Sequence, residues 1–107
     1  MKLSEIAKKK YSKKGVASTY GWGEKLNKHT ASGDVFDPNA LTAAMYDLPL
    51  GSFAKVTSPK TNKSLRVLIN DRGPNKRLGR LIDLSRGSWK ALGLGGAGLT
   101  DVLVENE

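Results

Sequence analysis

Residues 65–85 read LRVLINDRGPNKRLGRLIDLS, two short apolar runs on either side of a loop that opens with glycine and proline. Leu65, Val67 and Ile69 alternate with Arg66, Leu68 and Asn70, a period near two that suits a strand of at least six residues. Gly73 and Pro74 end that strand, because proline has no N–H for a ladder and the pair favours turns. The second run, residues 81–84, leads into Ser85, which has the chemistry of a helix N-cap. Trp89 and Leu92 are spaced as the apolar positions of a short helix, and Gly93 follows as its stop.

Each run carries an aspartate near its end. Asp71 falls on the parity of Val67 and Ile69, which predicts a carboxyl pointing into a partly dry setting. Desolvation there would disfavour the charged form and raise the pKa, as a general acid requires. Asp83 lies just before the helix. A structural reading stands beside the functional one for both: such an aspartate can accept backbone N–H groups or pair with Arg72 or Arg80. Two carboxylates bracketing one loop favour a site.

Turn chemistry recurs along the rest of the chain. Residues 15–20 read as a strand, 30–39 as a loop rich in turn formers, and 41–45 as a short strand. Residues 52–58 and 64–70 read as the arms of a hairpin around 59–63, and 99–105 as a last strand after the glycine-rich 93–98. Six short strands with one or two short helices in 107 residues make a mainly β chain of one domain. Such a chain suits a barrel or sandwich rather than a doubly wound sheet.

The net charge is +8, and residues 1–14 hold most of it: Lys2, Lys8, Lys9, Lys10, Lys13 and Lys14 against Glu5 give +5, leaving +3 for the other 93 residues. The chain is therefore expected to divide into a basic arm or short helix at 1–14 and a barrel domain at 15–107. The arm can contact phosphates, an anionic wall polymer or an acidic protein partner in an assembly, or simply be solvated. With the charge confined there and no reading motif, nucleic acid is not an expected partner. With no cysteine in these 107 residues, neither a disulfide framework, a thiolate zinc site nor lipid anchoring through cysteine is expected. Neither a metal nor a cofactor is expected. No apolar segment approaches the roughly 18 residues of a membrane span, and residues 1–10 lack the apolar middle of a secretory signal. No membrane span and no export address are therefore expected.

Five motifs in order, GVASTYG at 15–21, TASGDVFD at 30–37, ALTAAMYDLPLGS at 40–52, INDRGP at 69–74 and GRLIDLS at 79–85, resemble the rare lipoprotein A-like double-psi β-barrel domain. That family of bacterial peptidoglycan-cleaving proteins is related in fold to expansins and to some lytic transglycosylases. The resemblance implies a six-stranded double-psi β-barrel in which Asp34, Asp37, Asp71 and Asp83 approach a groove. It also implies lytic transglycosylase-like action on the glycan strands of peptidoglycan, at the cell wall or periplasm. Two positions depart from the family: Asp34 stands where a glutamate is usual, and Met45 where a histidine is usual. Met45 cannot titrate or donate, and His29, nearby in sequence, does not occupy that position.

Glycoside hydrolysis ordinarily uses two carboxyl groups, whereas lytic transglycosylation can run on one acid that protonates the glycosidic oxygen and then takes the proton of the sugar's C6 hydroxyl. Asp71 and Asp83 are the acid/base candidates, and Asp34 and Asp37 the candidate substrate contacts. Tyr20 and Trp22 can stack on sugar faces or pack in the core. Arg72 and Arg80 can hold the carboxylates or contact acidic groups of the glycan. A second expectation is a non-catalytic wall-binding or assembly module on the same barrel, as in expansin-like proteins. Without an export address, carriage to the wall in a phage tail or baseplate is also expected.

Overall fold

The computed structural model describes residues 10–20, 29–33, 35–74, 79–96 and 98–107. Their strands are β1 (Ser12–Tyr20), β2 (Thr42–Ala44), β3 (Phe53–Ser58), β4 (Lys63–Asp71), β5 (Arg80–Ser85) and β6 (Leu99–Asn106), and helix α1 (Arg86–Ala91) joins β5 to β6. They close into a barrel in the order β1-β5-β2-β4-β3-β6. The β1/β5 and β2/β4 pairs are parallel and the other neighbours antiparallel. Closure gives each strand two neighbours and abolishes the sheet edge. The mainly β, six-stranded barrel is the expected class.

Alternation fills its interior. Val56, Val67, Ile69, Ile82, Leu84 and Val104 are fully buried, with Ala17, Ala43 and Ala54 as small residues among them. The hairpin joins β3 to β4 as predicted: the Asn62 N–H donates to the Ser58 carbonyl at 2.8 Å. Asn62 takes φ +60°, a conformation that asparagine tolerates better than most residues. Thr61 ties this turn to the far end of α1 by donating to the Leu92 carbonyl at 2.7 Å.

Helix α1 starts where the sequence places it. The Ser85 hydroxyl accepts the Ser88 N–H at 3.1 Å and donates to the Ala40 carbonyl at 2.6 Å, so one buried side chain both caps the helix and fastens it to the approach to β2. Trp89 and Leu92 are buried against the barrel, and Gly93 follows at φ +72°. Gly87 admits no side chain: a Cβ there would lie 2.3 Å from the Asn39 carbonyl oxygen.

Two boundaries differ from the sequence reading. β1 begins at Ser12 because Ser12, Lys13 and Lys14 pair with Glu105, Val104 and Leu103 of β6, so the last residues of the basic arm are barrel residues. Residues 1–9, most of the expected basic arm or short helix, lie outside the described residues. β2 has only three residues, all buried, between β4 and β5. Among the described residues, no helix is long and apolar enough to cross a membrane.

Candidate functional site

Ile69 on β4, Ala43 on β2 and Leu84 on β5 are register partners, and all three are fully buried. On β2 and β5 the adjacent residues, Ala44 and Asp83, pair with each other and by alternation occupy the outer face. On β4 simple alternation would put Asn70 there. Instead the register steps from Ala43↔Ile69 to Ala44↔Asp71, leaving Asn70 as the unpaired extra residue. This bulge re-aims Asp71. The expected inward parity of Asp71 is thus overturned, and Asp71 stands in one outer row with Ala44 and Asp83. Ser18 of β1, the partner of Asp83, completes the row.

Within that row the two aspartates flank Ala44 on neighbouring strands, which sets their backbones about 10 Å apart, twice the usual strand spacing. Both are half-buried. Asp71 Oδ1 accepts two backbone N–H groups, from Ala31 and from Arg72, each at 2.9 Å. The Ala31 donor comes from the 29–35 loop, which His29 and Val35 close with a β-bridge and whose Ser32 N–H reaches the Asn70 carbonyl at 3.1 Å. Asp83 Oδ1 accepts the Ser18 hydroxyl. Gly73 folds back over the row: a Cβ on it would lie 3.8 Å from the Ala44 Cβ and 3.9 Å from Asp83 Oδ2. Its peptide to Pro74 is cis and its φ is +144°.

Tyr20 connects the two carboxylates electrostatically. Its ring packs on Phe36 with centroids 5.4 Å apart. Its hydroxyl is buried, and among the described residues no partner lies within hydrogen-bond geometry. Burial pushes the phenol up to about 12; Thr42 opposes the rise, and the charges of Asp71 and Asp83 add to it. At neutral pH Tyr20 therefore keeps its phenolic proton.

The other expected site residues are distributed differently. Arg72 sends its guanidinium away from the aspartates: Nη1 donates to the carbonyls of Met45, Tyr46 and Leu48 at 2.6, 3.1 and 2.7 Å. Asp37 is exposed and closes its own turn, accepting the Asn39 N–H at 2.9 Å. Met45 is fully buried in the core, and its N–H donates to the Asp71 carbonyl at 3.1 Å. His29 is exposed. Asp34 and Trp22 lie outside the described residues. Sequence reasoning missed Ser18 and Ala31. Ser18 was recoverable, because it follows the inward Ala17 and so takes the outer parity. Ala31 acts through its backbone, which leaves no side-chain signal.

A family model described as lytic transglycolase matches residues 12–104, nearly the whole chain. The chain belongs to that family. Among lytic transglycolase relatives, it is 46% identical over 92 residues to a probable endolytic peptidoglycan transglycosylase RlpA of Nostoc sp., covering 85% of this chain and 24% of that protein. It is 44% identical over 101 residues to the endolytic peptidoglycan transglycosylase RlpA of Rickettsia bellii, covering 92% of this chain and 44% of the relative. The chain thus spans less than half the length of these relatives. Among solved structures, the barrel superposes on an expansin of Clavibacter michiganensis with a TM-score of 0.70 at 22% identity, covering 91% of this chain and 50% of that one. It also superposes on a Streptomyces papain inhibitor with a TM-score of 0.63 at 17% identity, covering 90% and 93%. These likenesses confirm the expansin-like double-psi fold.

Proposed function

We propose that this lytic transglycosylase-like cell-wall domain cleaves peptidoglycan glycan strands, with Asp71 and Asp83 as the acid/base groups. The observation that supports this reading is the outer row Asp83–Ala44–Asp71, two half-buried carboxylates on one face of the sheet around a single methyl group. Hydrolysis by a carboxyl pair sets the two groups on either side of the scissile bond. Carboxylates in one row on one face suit the single-acid route better. In that route a carboxylic acid protonates the glycosidic oxygen and the bond from C1 to that oxygen breaks. The resulting carboxylate takes the proton of the C6 hydroxyl while its oxygen bonds to C1 and closes an anhydro ring. Ser18 and Ala31 hold the two aspartates in orientation.

The test is digestion of purified sacculi. Wild-type protein is expected to release anhydromuropeptides, and Asp71→Asn or Asp83→Asn to lower release by about 100-fold or more, the ordinary contribution of a general acid. No release by the wild type, or undiminished release by both variants, would overturn the catalytic reading.

One observation favours a second reading, a module that binds wall glycan without cleaving it. The position of the family's histidine is filled by Met45, buried in the core, so that position supplies no proton donor. Retention on sacculi without anhydro products is the outcome this reading expects. Delivery in a phage tail or baseplate is a separate proposal, and glycan binding does not depend on it.

A further inference from the structure

Tyr46 lies two residues beyond Ala44, the register partner of both Asp71 and Asp83, and is 49% exposed. Two residues of chain span at most about 7 Å, so its backbone stands at the rim of the aspartate row. Tyr20, expected to stack on sugars, instead packs on Phe36 with its hydroxyl buried. Trp89 is buried in the core. Phe53 is 37% exposed, but it belongs to β3, outside the row, and its ring carries the Arg66 guanidinium 3.6 Å from the centroid. Among the described aromatic residues, Tyr46 therefore combines the greatest exposure with a place beside the carboxylates.

The segment that carries Tyr46 is pinned on every side. The Met45 N–H donates to the Asp71 carbonyl at 3.1 Å, which carries the β2/β4 pairing one residue further. Arg72 Nη1 donates to the carbonyls of Met45, Tyr46 and Leu48. The Asp47 carboxylate accepts the Tyr11 hydroxyl at 2.8 Å and pairs with Lys13 at 3.7 Å. Arg72 follows Asp71 in the chain, so a single residue fixes Tyr46 relative to that carboxylate. A tyrosine has only two side-chain torsions, and on a backbone held this way it loses little freedom when a ligand covers it.

We infer that Tyr46 is a sugar-stacking subsite of the glycan groove, holding the pyranose ring next to the one seated over Ala44 between the aspartates. The inference rests on the glycan reading above. A pyranose presents C–H groups on the faces of its ring, and these meet the electron-rich face of a phenol while the sugar's hydroxyls at the ring edge stay in water. Such a contact uses neither charge nor a proton donor. It therefore serves a domain that cleaves the strand and one that only binds it.

The experiment measures binding of the full chain, in the cold to slow cleavage, to peptidoglycan glycan strands freed of their stems by an amidase. Tyr46→Ala is expected to weaken binding about tenfold, and Tyr46→Phe and Tyr46→Trp to stay within about threefold of the wild type, because each keeps a ring face. Urea midpoints of all three variants should match the wild type, since an exposed side chain adds little to the core. In Tyr46→Trp the added indole should change its emission when glycan binds, beyond any change in the wild type, whose Trp22 and Trp89 set the baseline. Wild-type affinity in Tyr46→Ala would overturn the subsite and leave the glycan reading standing. So would a loss in Tyr46→Phe as large as that in Tyr46→Ala, or an added indole whose emission bound glycan does not move. A wild type that binds no glycan would end the glycan reading itself, and the subsite with it.

Discussion

Asp71 and Asp83 are joined through one residue: each is the register partner of Ala44, on opposite sides of the three-residue strand β2. The two carboxylates therefore belong to different strand pairs, one parallel and one antiparallel, and the placement of β2 between β4 and β5 brings them into one row. Gly73 covers that row, and this gives a first prediction. At φ +144° a Cβ is disfavoured by the backbone itself, although the nearest atoms would be no closer than 3.8 Å. Gly73→Ala should cost about 1–3 kcal/mol of stability, the usual range for such strain, read by urea unfolding. It should also lower glycan release, because the added methyl group would lie against Ala44 and the Asp83 carboxylate. An unchanged unfolding midpoint would sink the argument.

Arg72 separates support from catalysis. Its guanidinium binds three carbonyls in the 45–48 segment, while its backbone N–H, not its side chain, reaches Asp71. Arg72→Ala should destabilise the chain by about 1.5–3 kcal/mol, the range for hydrogen bonds to a charged group. Arg72→Lys should recover part of that, since an ammonium has several donors but no planar fork. Denaturant midpoints for the three proteins decide it. A variant of full stability that has lost glycan cleavage would instead place Arg72 on the substrate.

Local chemistry was legible in the sequence; long-range pairing was legible only in part. The Ser85 cap, the Gly93 stop and the 59–63 turn depend on neighbours in the chain, and each is found where expected. The parity of Asp71 was misread, because the bulge at Asn70 arises from pairing with β2, more than 20 residues away, and leaves no mark in an alternating run. Ala31 escaped for a related reason, since an N–H donor looks the same in every residue but proline. The aspartates themselves were visible as the polar ends of two apolar runs. Their common neighbour was not, because a three-residue strand of Thr42, Ala43 and Ala44 has too little pattern to declare its partners.

Tyr20 makes stability depend on pH at the alkaline end. Burial first, then the nearby aspartate charges, push its phenol from 10.0 up to about 12, against a lowering by Thr42. The folded state thus keeps the proton after the unfolded chain has begun to lose it. Between pH 10 and 12 the unfolded state binds fewer protons, so stability falls as pH rises, with a limiting slope of about 1.4 kcal/mol per pH unit for one group. Below pH 10 the contribution is complete. Tyr11 is shifted upward as well, by burial and then by its hydrogen bond to and the charge of Asp47, so it contributes in the same direction. Tyr20→Phe should shrink the loss of stability between pH 9 and 11.5 by about 1–2 kcal/mol. Equal slopes for the two proteins in urea titrations would show that the phenol is not held neutral by the fold.

Met45 tests whether the histidine usual at this position can be restored. Its side chain is fully buried among the core residues, and its N–H is engaged by the Asp71 carbonyl at 3.1 Å. An imidazole placed there would carry two ring nitrogens into an apolar interior, at a cost of about 2–4 kcal/mol. The cost should grow as pH falls below about 6.5, because the unfolded chain then takes up a proton that the buried ring resists. Met45→His is therefore expected to lower the unfolding midpoint at pH 7, to lower it further at pH 5, and to leave glycan release no higher than in the parent. A variant that keeps its stability and releases more anhydromuropeptide would mean that a side chain at position 45 reaches the aspartate row, and the assignment of Met45 to the core alone would fall.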